Sequence, residues 1–75
     1  MPTFEIIVIN DVFESASTQD LPDWEAAKKA ALKGALELGV ETVVAGKAFF
    51  GAEVIVSAGS SHQRMVVSIG SSPLK

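Results

Sequence analysis

This 75-residue sequence predicts an α+β fold, in which a four-stranded, mainly antiparallel sheet in ββαββ order packs on one long helix. Three observations lead there. A β-branched run stands near the start, Phe4 to Asn10. An Ala-rich segment follows Leu21-Pro22-Asp23. Two further apolar runs, separated by Ala58-Gly59-Ser60-Ser61-His62, come after Phe49. Two strand pairs flanking a single helix form the simplest two-layer arrangement that buries each apolar face.

Phe4 to Asn10 is too short for a typical helix and rich in residues that favour the pleated backbone. Phe4, Ile6 and Val8 line one face, while Ile7 and Ile9 follow Glu5 on the other. Apolar residues on both faces predict a central strand, or one whose second face meets another subunit. Asn10-Asp11 favours a turn, because both side chains bond nearby backbone and tolerate left-handed conformations. Val12 to Ala16 reads as a short returning strand, and Ser17-Thr18-Gln19-Asp20 as a polar connection.

Asp23 is the predicted helix cap, its carboxylate accepting a free amide of the first turn. Asp20 is the alternative, with Pro22 then tolerated in the first turn. From Trp24 onward, Trp24, Ala27, Ala31, Ala35 and Leu38 share one stripe at about 100° per residue. Alanines beside Gly34 would let the helix lie close to a sheet. Lys29, Lys33 and Glu37 fall on the far side. Leu32 and Leu36 form a second apolar patch beside the stripe, either a widening of the core-facing arc or a contact with a second helix. Gly39 and Gly46 both offer stop signals. Thr42 and Ala45 continue the stripe, so the helix is expected to run to about Val44.

Phe49 to Ser57 reads as the third strand. Arg64 to Ile69 reads as the fourth, with Met65, Val67 and Ile69 on one face. Residues 1–70 thus make one domain, and 71–75 a frayed tail.

Composition excludes several function classes. The chain carries six Lys and Arg against nine Asp and Glu, a net charge of −3, which disfavours non-specific binding to nucleic acid. It has no Cys, hence no disulfide framework and no thiolate zinc site. Met1 to Glu5 lacks the basic and long apolar segments of a signal peptide, and no apolar run approaches the roughly 20 residues that span a bilayer. A cytoplasmic location without membrane association is the expectation. Large side chains are few: four Phe, one Trp and no Tyr. Oligomerisation often completes so lean a core.

Candidate chemistry is sparse. His62 is the only histidine, with no acid nearby in sequence to orient it as a general base. Asp11, Glu14, Asp20 and Asp23 could converge at one end of the first hairpin, but they lack the spacing of a calcium loop. No Gly-rich segment opens the helix, where a phosphate loop must lie. Lys28, Lys29, Lys33 and Arg64 could meet nucleic acid only if they shared a face. No catalytic, cofactor-binding or metal-ligating residue is therefore expected.

The run Asp20 to Ala31, Asp-Leu-Pro-Asp-Trp-Glu-Ala-Ala-Lys-Lys-Ala-Ala, follows an aromatic-led strand that ends in Asn-Asp. In this it resembles a family of short bacterial proteins classed as a domain of unknown function. Their pattern is an N-terminal hairpin, a Leu-Pro-Asp step, an Ala-rich helix and a strand pair preceded by an aromatic, here Phe49 or Phe50. The resemblance covers roughly residues 3 to 69. It implies the same fold and the longer helix, and brings no activity or catalytic residues. The order of elements is also similar to that of small antitoxin partners of bacterial RNA-cleaving toxins, although their Leu-Pro-Gly-Cys step is missing here.

A non-enzymatic protein-interaction or self-associating module is the expected function, with a sheet edge or the surface of Leu32, Leu36, Lys29 and Lys33 as candidate interface. Its partner would be a second copy, as a dimer or higher oligomer, or another protein. The alternative is an antitoxin-like or regulatory partner that binds another protein through its helix.

Overall fold

A computed structural model describes residues 2–11 and 13–71. Four strands and one helix follow in the order β1 (Thr3–Ile9), β2 (Glu14–Asp20), α1 (Trp24–Val44), β3 (Phe49–Ala58) and β4 (Ser61–Gly70). All neighbouring strands are antiparallel, and their order across the sheet is β2-β1-β3-β4. The expected ββαββ fold is therefore the one observed.

The alternation of β1 sets the core. Phe4, Ile6 and Val8 are buried beneath the helix. In register beside Ile6 and Val8 stand Val56 and Val54 of β3, both completely buried. From the helix come Ala27, Ala31 and Ala35, each 0–1% exposed. Short side chains bring the helix axis close to the sheet, while Trp24 and Leu38 pack against the core from the ends of the stripe. Trp24 meets Phe4 edge to face, with ring centroids 5.1 Å apart, an arrangement that suits the aromatic quadrupole.

Both helix ends follow local rules. Asp23 has extended backbone and its Oδ1 accepts the Ala26 amide at 2.8 Å, so it is the cap. Asp20 instead accepts a 2.7 Å hydrogen bond from the Thr3 hydroxyl, its cross-strand partner. At the other end, Gly46 adopts φ 116°. Its amide donates to the Val43 carbonyl at 3.1 Å, and that of Lys47 to Thr42 at 3.3 Å. These crossed bonds satisfy carbonyls that the last turn leaves free, which places the stop at Gly46.

Gly39 stays within the helix for a different reason. It is buried, and a Cβ there would stand 2.5 Å from Ile69 Cδ1 and 2.8 Å from Phe50 Cδ2. Gly34, expected to allow close approach, has nothing within 4 Å of its would-be Cβ. Close contact with the sheet thus falls at Gly39, one turn and more beyond the expected place. Ala45 is exposed as the C-cap and does not extend the buried stripe.

The second strand differs most from expectation. Ser17 to Asp20, read as a polar connection, pairs in register with Ile6 back to Thr3. Val12, the expected start of that strand, lies outside the described residues. Phe13 precedes β2, its amide bonded to Asn10 Oδ1 at 3.0 Å and its ring stacked 6.4 Å from Phe50. Every residue of β2 is exposed. Ser15, Ser17 and Gln19 share the core-side face with Val8, Ile6 and Phe4, but the helix makes no contact with β2. The strand is held by its ladder to β1.

The final hairpin is tighter and longer than expected. Its loop is only Gly59-Ser60, with φ 60° at Gly59, since Ala58 pairs with Ser61 and Ser57 with His62. Gly70 is paired with Phe49, and the amide of Ser71, the first residue of the expected frayed tail, donates to the Ala48 carbonyl at 2.8 Å. The rest of the expected frayed tail, residues 72–75, lies outside the described residues.

Candidate interaction surface

One apolar ridge on the helix departs from the core. Leu32, Leu36, Val40 and Val44 recur every four residues, so each lies about 40° round from the one before, and the ridge winds slowly away from the sheet. Exposure follows that winding. Leu32 is half-buried and packed against the core. Leu36 is 43% exposed, Val40 53% and Val44 80%. The two leucines expected to act together are therefore divided between core and surface, and the surface patch extends toward the helix C-terminus.

Val40 and Val44 were not candidates in the sequence, where Val40 to Val44 also carries strand propensity. Their spacing of four from Leu36 was the available signal. Two pairs of like charges flank the ridge: Lys29 and Lys33 toward the helix start, Glu37 and Glu41 toward its end. All four are exposed, and they line an open groove with Leu32, Leu36 and Val40. Glu41 lies in the last turn, which holds no basic residue, so it faces the negative end of the helix dipole. Helix stability alone does not favour that placement.

The outer sheet face is a second apolar surface. Ile7 and Ile55 are direct cross-strand partners there, both half-buried, and Val66, opposite Glu53 on the same face, is 81% exposed. Arg64 spans this face to reach Glu53 at 3.4 Å. Phe49 is 64% exposed, and its ring lies over Gly51, where a Cβ would stand 3.0 Å from the ring edge.

Other candidates are dispersed by the topology. The register pairs Ile9 with Glu14 and Thr3 with Asp20. Asp11 and Glu14 therefore lie at one end of the first hairpin and Asp20 and Asp23 at the other, about 20 Å apart at roughly 3.4 Å per residue. The four carboxylates do not converge. Among the described residues no three His, Asp or Glu side chains gather as a metal site would require. His62 is exposed beside the tight turn of the last hairpin. Lys28 pairs loosely with Glu25 at 3.6 Å. Lys29 and Lys33 ride on the helix, whereas Arg64 occupies the opposite face of the sheet, so no common cationic face forms.

No described helix is long and apolar enough to cross a membrane. No family model, curated protein or solved structure matches the chain, so its surfaces are read from their own chemistry.

Proposed function

We propose that this chain is a non-enzymatic interaction module that associates with itself through the outer face of α1. One observation carries the reading: a ridge of large apolar side chains, Leu36, Val40 and Val44, rises from half-buried to largely exposed on a helix whose other side is fully used by the sheet. Scattered apolar residues on a surface are ordinary, whereas a contiguous row offers a second chain one apolar strip to cover. A core built largely of Ala and Val gains in addition from burial against a second subunit.

Sedimentation velocity on the full chain, across protein concentrations from about 1 μM to 1 mM, tests the proposal. An average mass that rises from the 7.8 kDa monomer toward an oligomer supports it. A monomer over the whole range rules it out and leaves the helix face to a different protein, as in the antitoxin-like reading.

A further inference from the structure

We infer that the occupant of the helix face is a second copy of the same helix, packed two-fold symmetrically with the chains running in opposite senses. The inference rests on the self-association proposed above and adds its geometry. Its warrant is the charge order along the groove: Lys29 and Lys33 on one side of Leu36, Glu37 and Glu41 on the other.

A two-fold axis makes the contact isologous, so that residue i meets residue j and j meets i. With opposed helices and the axis beside Leu36, Leu36 meets its own copy and Leu32 meets Val40. The charged pairs Lys33–Glu37 and Lys29–Glu41 are centred on Ala35, one residue or about 1.5 Å along the helix from Leu36, an offset their long side chains span, and each pair occurs twice. With the helices in the same sense, a two-fold axis carries the two charged rows to opposite sides of the contact, and none of these pairs forms. The charge order therefore selects one of the two orientations, and it explains why Glu41 tolerates the unfavourable end of the helix dipole.

Spacing agrees with the charge. Leu32, Leu36, Val40 and Val44 form an unbroken row of every fourth residue, and two such rows interdigitate with helix axes inclined by about 50°. From Lys29 to Glu41 the groove is about 18 Å long at 1.5 Å per residue. A contact of that length falls in the small class of interfaces, which associate weakly and reversibly. The dimer is accordingly a weak one, and its affinity falls with added salt because the flanking pairs are solvent-exposed.

Charge reversal tests the geometry on the full chain. Lys33→Glu places like charges opposite Glu37 of the other copy, and Glu37→Lys does the same opposite Lys33. Each single variant is expected to dimerise roughly tenfold more weakly than the parent, since the lost pair occurs twice. The double variant Lys33→Glu/Glu37→Lys restores both contacts and recovers the parent affinity. An equimolar mixture of the two single variants forms a heterodimer tighter than either homodimer.

Leu36→Asp is expected to weaken dimerisation at least tenfold with an unchanged circular dichroism spectrum, because Leu36 is exposed in the monomer. Oligomers that ignore Leu36→Asp and both reversals would overturn this inference alone, and place self-association on the outer sheet face or a sheet edge. Oligomers sensitive to Leu36→Asp but indifferent to both reversals would overturn the opposed orientation. A parent chain that stays monomeric throughout would remove the inference together with the proposal beneath it.

Discussion

Two glycines of the same helix should respond in opposite directions to the same substitution. Gly34→Ala adds a methyl group to open space, since nothing lies within 4 Å of its position. Removing a flexible glycine from a helix interior stabilises by about 0.5–1 kcal/mol. In a domain of this size that corresponds to a rise in Tm of roughly 2–8 °C. Gly39→Ala makes the same gain in propensity but puts its methyl 2.5 Å from Ile69 Cδ1 and 2.8 Å from Phe50 Cδ2. Ordinary carbon contacts are about 3.5–4.0 Å. Ile69 is half-buried and its terminal methyl can rotate away, whereas Phe50 is 3% exposed and stacked on Phe13. The ring has to move. Overpacking of this kind costs about 1–3 kcal/mol, so the net effect is a loss of about 0–2 kcal/mol.

Thermal and urea unfolding followed by circular dichroism measures both variants. The double variant Gly39→Ala/Ile69→Val adds a direct check, because the second change deletes the atom in closest contact. Ile69→Val alone should cost about 0.5–1.5 kcal/mol, and less than that in the Gly39→Ala background. If Gly39→Ala proved as stabilising as Gly34→Ala, the close approach of α1 to Phe50 and Ile69 would be refuted.

Other substitutions probe single features by the same unfolding assay. Asp23→Ala removes the cap on the Ala26 amide and should lower stability by about 1 kcal/mol, with Asp23→Asn retaining most of it. Gly46→Ala forces a side chain into φ 116° and should cost about 1–3 kcal/mol by backbone strain alone, since its Cβ meets no neighbour. Phe4→Ala removes a 1%-exposed ring and its contact with Trp24, an expected loss of about 3–5 kcal/mol that would leave so small a domain largely unfolded. Glu53→Gln should stay within about 0.5 kcal/mol of the parent, because its pairing with Arg64 at 3.4 Å is solvent-exposed.

Where burial is periodic, the sequence is legible. Phe4, Ile6 and Val8 alternate because one face of β1 is covered. Ala27, Ala31 and Ala35 recur because one arc of the helix is covered, and Asp23 caps through contacts within a single turn. β2 carries no such period. No element packs on Glu14–Asp20, so selection for burial leaves no trace in its side chains, and only pairing with β1 shows that the strand runs past Ala16 to Asp20. Its polar letters look like a loop for that reason.

The candidate surface divides the same way. Sequence placed Leu32 and Leu36 beside the buried stripe, with Lys29 and Lys33 beyond it, by helical angle alone. Which of them meet solvent depends on how far the sheet wraps round the helix, a property of neither segment alone. Tertiary packing half-buries Leu32 against the core, exposes Leu36 and extends the ridge to Val40 and Val44. It also decides which glycine serves the core: Gly34 and Gly39 look alike in a helical pattern, and only the positions of Phe50 and Ile69 on the facing strands tell them apart. Local pattern thus determined the elements, their order and the helix start. The register of β2, the close contact at Gly39 and the exposed ridge come from distances between residues far apart in the chain, which no local period encodes.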